Sequence, residues 1–156
     1  MKEKWKSLLA ALAIPLAVGG FGALLSGGMA DYGAMEKPPL SPPGWIFPVV
    51  WTVLYLLMGW ASWLIWKSDV PSEQKRSTLI LYGAQLAVNF LWPLIFFGAG
   101  MFLTALLVLV LLWILIFLTI RAFAKISELA GDLLIPYILW VSFAAYLNFG
   151  IFLLNR

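Results

Sequence analysis

The side chains able to do chemistry in this chain are amides, hydroxyls and indoles, because its 156 residues include no His and no Cys. That removes imidazole acid/base work, thiolate nucleophiles, disulfides, and Cys or His ligation of zinc or haem iron. Inside the apolar stretches the polar groups are Thr52, Tyr55, Ser62, Gln85, Asn89, Thr104, Ser142, Asn148 and the indoles. Gln85 and Asn89 are four residues apart and Trp92 follows three later, so the three share one helix face. An amide in lipid needs a partner. That partner is either a neighbouring helix or a ligand in a cavity, and the sequence is compatible with both. Trp51 and Tyr55 share a second face, continued by Met58 and Ser62. Pro136, Trp140, Ala144 and Leu147 share a third, where the small Ala144 leaves space beside the Trp140 indole. The space serves close helix packing or the floor of a pocket.

The elements that must position these groups follow from the charges. Only 11% of residues are charged and 63% are hydrophobic, with a mean hydropathy of +0.98. Soluble domains carry about 25% charged residues, so this composition fits a chain whose surface faces lipid. The net charge of +3 is too small and scattered for nucleic-acid binding. Uncharged runs cover Ser7–Ala30, Pro38–Trp66, Ser77–Ile120 and Leu133–Asn155, which are 24, 29, 44 and 23 residues long. A bilayer core about 30 Å thick needs about 20 apolar residues as helix. The third run therefore holds two spans, broken at Gly98-Ala99-Gly100. The prediction is a single all-α domain over 1–156, a bundle of five transmembrane helices at 7–26, 45–66, 78–97, 101–121 and 133–154. Continuous rather than alternating apolar runs exclude strands. The first run is read as a retained helix rather than a secretory leader, since it exceeds the usual leader length and Gly28-Met29-Ala30 is a weak cleavage site.

Lys and Arg set the orientation. The N-terminus, the second loop and the fourth loop hold eight of them; the first loop and C-terminus hold two. This places the N-terminus in the cytoplasm, with the first loop and C-terminus outside the cell membrane. Trp5, Trp45 and Trp66 read as interfacial belt residues, whereas some of Trp51, Trp92, Trp113 and Trp140 belong deeper. Pro48 and Pro136 fit the first turns of their helices; Pro15 and Pro93 fall inside spans and should kink them. Gly83–Ala87 and Ala13–Ala17 are small-residue steps that suit packing within the chain or against a second copy. No span contains an internal Asp, Glu, Lys or Arg, so the usual means of coupling transport to an ion gradient is missing. The loop over 27–44 has four prolines in the six residues Pro38–Pro43, a stiff strap that is either a cover or a rigid connector.

Three segments together resemble one family. They are Lys37-Pro38-Pro39-x-x-Pro42-Pro43-x-Trp45 running on through Pro48, Trp51, Tyr55 and Gly59; Gln85-Leu86-Ala87-x-Asn89-x-x-Trp92-Pro93 running on to Gly98; and Pro136-Tyr137-x-x-Trp140-x-x-Phe143-Ala144-x-x-Leu147-Asn148. The chain resembles the translocator protein family, also called the tryptophan-rich sensory protein family, and a bacterial member of it. The resemblance implies five tilted helices, a homodimer, and a pocket closed by the first loop. It implies binding of porphyrins such as protoporphyrin IX and of isoquinoline-carboxamide-type ligands, with no cofactor required. Carried over by position, the pocket comprises Tyr32, Pro42, Phe47, Trp51, Asn89, Trp92, Trp140, Ala144 and Leu147. Two departures matter. Leu40 stands where an aromatic residue is frequent in the strap. Phe149 replaces a tyrosine of the cholesterol motif of animal members, so no sterol site is expected. The leading expectation is a receptor or translocator for a planar hydrophobic ligand oriented by Asn89 and the Trp51 N–H. The rivals are light- and oxygen-dependent porphyrin degradation, with Trp51 and Trp140 as candidate catalytic residues, passive metabolite transport, and a structural scaffold.

Overall fold

The computed structural model describes residues 2–27 and 32–156. The element order is α1 (Lys2–Leu25), a 3-10 turn (Tyr32–Ala34), α2 (Ile46–Trp66), α3 (Ser72–Pro93), a π turn (Leu94–Gly98), α4 (Phe102–Ile126), α5 (Glu128–Leu133) and α6 (Ile135–Leu154). Five segments are long and apolar enough to cross a membrane, the fifth being α5 with α6. The strap is described from Tyr32 onward, and Gly28-Met29-Ala30 lies outside the described residues.

The helices run further than the uncharged runs. α1 begins at Lys2, α3 takes in Glu73, Lys75 and Arg76, and α4 continues past Arg121 and Lys125. A charge ends the stretch that lipid tolerates, but intrahelical hydrogen bonding continues into the headgroup region. At the fifth span Pro136 divides the helix. It has no N–H for the Asp132 carbonyl, so α5 stops at Leu133 and α6 restarts with the proline in its first turn. Ser127 caps α5 by accepting from the Ala130 N–H at 3.2 Å.

Two internal prolines shape the first and third spans. Pro15 leaves the Ala11 carbonyl without its intrahelical donor. That oxygen lies against Gly59 of α2, where a Cβ would come within 2.6 Å of it and 2.7 Å of Leu12 Cα. The seam between α1 and α2 is thus backbone on backbone, and a Gly59 Cα–H faces the freed carbonyl. One turn away along the same seam α1 meets α2 through Trp63, whose Nε1 donates to Ser7 Oγ at 3.0 Å. Pro93 ends the α-helical part of α3, and the chain passes into the π turn closed by Ala99 N donating to Leu94 O at 2.9 Å.

Gly83, Ala87, Ala13 and Ala17 all face outward, and nothing lies within 4 Å of a Cβ placed on Gly83. The close approach inside the chain is made at Gly59 instead. Trp5, Trp45 and Trp66 are exposed at helix ends, Trp92 is buried, and Trp113 is on the outside, donating to Ser142 Oγ at 2.9 Å.

Gly59→Leu should lower the thermal unfolding temperature of the detergent-solubilised protein sharply, because the added carbons meet backbone that cannot yield. In the monomeric protein in detergent Gly83→Ala should be neutral or mildly stabilising, since within one chain the methyl meets open space and adds helix propensity worth about 1 kcal/mol.

Candidate functional site

A cavity of about 300 Å³ lies between α1, α2 and α3. α1 bounds it with Leu16, Gly19, Gly20, Ala23 and Ser26, so that wall is almost bare backbone. α2 contributes Phe47, Trp51, Thr52 and Tyr55, and α3 contributes Asn89, Trp92 and Pro93, with Phe97 from the π turn. The lining residues Gly20, Ala23, Pro48 and Thr52 are exposed. The mouth therefore opens on the flank of the bundle, between α1 and α2. No described residue of the strap lines it.

Of the pocket residues expected from sequence, Phe47, Trp51, Asn89 and Trp92 line this cavity. Tyr32, Ala144 and Leu147 line a neighbouring void of only about 10 Å³, which shares Phe47, Trp92 and Phe97 with the first. Pro42 lines neither of these two spaces; its carbonyl accepts from Tyr32 Oη at 2.7 Å. Trp140 is separated from the cavity by Phe47, against which it sits edge-on at 5.7 Å. Its Nε1 is buried without a partner.

Asn89 holds three helices together. Its Oδ1 accepts from Tyr55 Oη of α2 at 2.9 Å, and its Nδ2 donates to Tyr137 Oη of α6 at 2.8 Å. Tyr137 Oη donates in turn to Gln85 Oε1 at 2.6 Å. The interhelical partner of both amides is thus present, and Asn89 still faces the cavity with spare hydrogen-bonding capacity. Each Asn89 oxygen and nitrogen assignment rests on this network. Trp92 is fixed separately: its Nε1 donates to Asn148 Oδ1 at 3.0 Å, and Asn148 Nδ2 donates to the Phe102 carbonyl at 2.8 Å. Trp51 stacks on Tyr55 with ring centroids 5.6 Å apart and meets Tyr137 edge-on at 6.2 Å.

The strap is fastened to α6. Asn155 exchanges two hydrogen bonds with the Glu36 backbone, at 2.7 and 3.1 Å, and Tyr146 Oη donates to Pro39 O at 2.6 Å. Pro38 packs so tightly on Gly150 that a Cβ there would come within 2.5 Å of its ring. Lys37 Nζ turns back onto the Tyr32 and Met35 carbonyls at 2.9 and 3.0 Å. Burial pushes the Tyr32 pKa up from its usual value, with the Ser41 hydroxyl pulling the other way. Leu40 is exposed and takes a left-handed backbone, so it covers nothing.

The glycine wall on α1 and the cavity roles of Thr52, Tyr55, Pro93 and Phe97 escaped the sequence reading. The run Gly19-Gly20-Phe21-Gly22-Ala23 was the available signal for the wall. Tyr55 was visible only as Trp51's neighbour on a face.

A family model described as the TspO/MBR family matches residues 11–154. The chain is 40% identical to the Tryptophan-rich protein TspO of Chlorobaculum tepidum, covering 99% of each. It is 37% identical to the Translocator protein of Sus scrofa, over 100% of this chain and 94% of that one. It is also 37% identical to the Tryptophan-rich sensory protein of Cereibacter sphaeroides, over 99% and 95%.

Tyr137→Phe should destabilise the bundle by about 1–3 kcal/mol, because it strips partners from both Asn89 Nδ2 and Gln85 Oε1. Tyr55→Phe removes a single bond beside the cavity and should cost less, about 0.6 kcal/mol. Unfolding by SDS titration from mixed micelles measures both.

Proposed function

The chain belongs to the TspO/MBR family, and from that premise we propose a multi-pass membrane receptor or translocator that holds a flat, hydrophobic, metal-free tetrapyrrole such as protoporphyrin IX. The observation that carries this is the cavity wall: two indoles, two phenyl rings and a tyrosine ring around about 300 Å³, with no charged residue among the described lining. Such a site gains affinity from apolar area and ring stacking, and selects by shape. The lining holds no His or Cys to ligate an iron, which favours the metal-free ring. About 300 Å³ is the lower end of the range for small-molecule pockets, so a tetrapyrrole occupies it with part of its ring. The remainder, with the carboxylates, lies toward the flank mouth or beneath the strap. A ligand dissolved in the bilayer reaches that mouth without crossing water. Trp51 supplies the main stacking surface, and isoquinoline-carboxamide-type ligands compete for the same wall.

The Lys and Arg distribution supports a cell-membrane protein with its N-terminus in the cytoplasm and the strap and C-terminus outside. The outward small-residue step Gly83–Ala87 on α3 supports pairing with a second copy in the bilayer.

In nanodiscs, protoporphyrin IX should quench tryptophan emission saturably, and Trp51→Ala should weaken the affinity about tenfold, in line with one lost aromatic contact. Linear, non-saturating quenching by the wild type sinks the reading. A phosphatase fused to the C-terminus should be active in the periplasm of a bacterial host, and a fluorescent protein there should stay dark; the reverse pattern inverts the topology.

A further inference from the structure

We propose that Phe47 is the partition that sets the size limit of the ligand space, by standing between the cavity at the flank and the collapsed void beneath the strap. The inference rests on the ligand-binding reading and adds a specificity residue to it. Three side chains line both spaces: Phe47, Trp92 and Phe97. Trp92 alone is held by a polar tie, and Phe97 is carried by the backbone of the π turn. Trp92 donates to Asn148, which is itself tied to the Phe102 carbonyl, and it stacks on Phe96 at 5.1 Å. Moving it leaves buried polar groups unpaired. Phe97 sits in the π turn, edge-on to Phe96 at 4.7 Å and to Trp92 at 5.8 Å.

Phe47 has no polar tie. Its ring is buried and meets Tyr32 edge-on at 5.1 Å and Trp140 at 5.7 Å. A change of its χ1 therefore breaks no hydrogen bond and displaces only apolar neighbours. Once it swings, the cavity of about 300 Å³ runs on into the space lined by Tyr32, Ala144 and Leu147. The Trp140 indole, whose Nε1 is buried without a partner, then faces the enlarged space. An orphaned donor behind a movable ring is what a ligand acceptor would satisfy when the ring moves aside. Small planar ligands fit in front of Phe47; large ones must displace it.

The test is a size series of planar aromatics, naphthalene, pyrene and perylene, together with protoporphyrin IX, each titrated into the protein in nanodiscs with saturable tryptophan quenching as readout. Phe47→Ala should raise the affinity for perylene relative to that for naphthalene about tenfold over the wild-type ratio, whatever the loss of a wall ring does to both. Phe47→Met, which keeps an apolar side chain but flexes, should fall between them and covers the case in which the alanine variant does not fold. Leu109→Ala, which opens the core on α4 away from both spaces, should leave the size limit where it is. If Phe47→Ala or Phe47→Met shifts all ligands equally, or if Leu109→Ala shifts the limit as far, the partition is overturned. If the limit moves as expected but no variant binds protoporphyrin IX, the partition stands and the tetrapyrrole reading falls.

Discussion

The approach of α1 to α2 at Gly59 governs the rest of the molecule. Pro15 withdraws the donor from the Ala11 carbonyl, and Gly59 is the one residue type that lets a neighbouring backbone come close enough to cover it. With no hydrophobic effect to press helices together inside lipid, such van der Waals contact docks α1 together with the Trp63–Ser7 hydrogen bond. α1 is otherwise largely lipid-facing, with Trp5, Leu9, Ile14, Phe21, Leu24 and Leu25 all exposed. Beyond the seam its cavity face is mostly small, Gly19 receiving the Tyr55 ring and Gly20 leaving open space beside it. The cavity is thus what remains when α1 is docked by backbone and its inward face carries almost no side chains.

Across the cavity the problem is the opposite one, of holding α2, α3 and α6 together without charges. The chain solves it with a directed series of hydrogen bonds, each group donating to the next from Tyr55 through Asn89 and Tyr137 to Gln85. The series ends at Gln85 Nε2, which is buried without a partner, as is Tyr82 Oη one turn away on the same helix. Because the Tyr55 proton is committed inward, the face that Tyr55 offers the cavity is an acceptor. Asn89, placed by the sequence between a structural and a ligand-facing role, has the first and keeps capacity for the second. The network uses one lone pair and one N–H of Asn89 and leaves the others.

The five spans were legible because bilayer thickness converts directly into a count of uncharged residues, and the spacing of charges is printed in the chain. Faces were legible too: Gln85, Asn89 and Trp92 are all buried, as are Met58 and Ser62 below Trp51. What the chain does not print is azimuth, that is, which face of one helix confronts which face of another. Trp51 and Trp140 both pointed inward by pattern, yet Phe47 stands between Trp140 and the cavity. The resemblance carried the strap and α6 residues into one pocket with α2 and α3, whereas the geometry puts Ala144 and Leu147 in a separate, nearly closed space. The glycines of α1 went unread for a related reason. A glycine in an apolar run is ordinary in membrane helices, and only the position of α2 and α3 turns its missing side chain into volume.

Cover and chamber therefore belong to different parts of the bundle. The strap is bound to α6 through Asn155, Tyr146 and Gly150, while the chamber is walled by α1, α2 and α3. They meet at the rings of Tyr32 and Phe47, 5.1 Å apart, and through the Phe47 N–H, which donates to the Gly44 carbonyl at 3.3 Å. Tyr32 is bonded through its hydroxyl to the strap at Pro42, and Phe47 sits in the first turns of α2 on the chamber wall. Any displacement of the Phe47 ring away from the chamber presses on a tyrosine whose hydroxyl is fixed 2.7 Å from a strap carbonyl. A close-packed interior transmits such a push rather than absorbing it. The Tyr32–Phe47 contact thus ties the chamber wall to the strap, although no described strap residue lines the chamber itself.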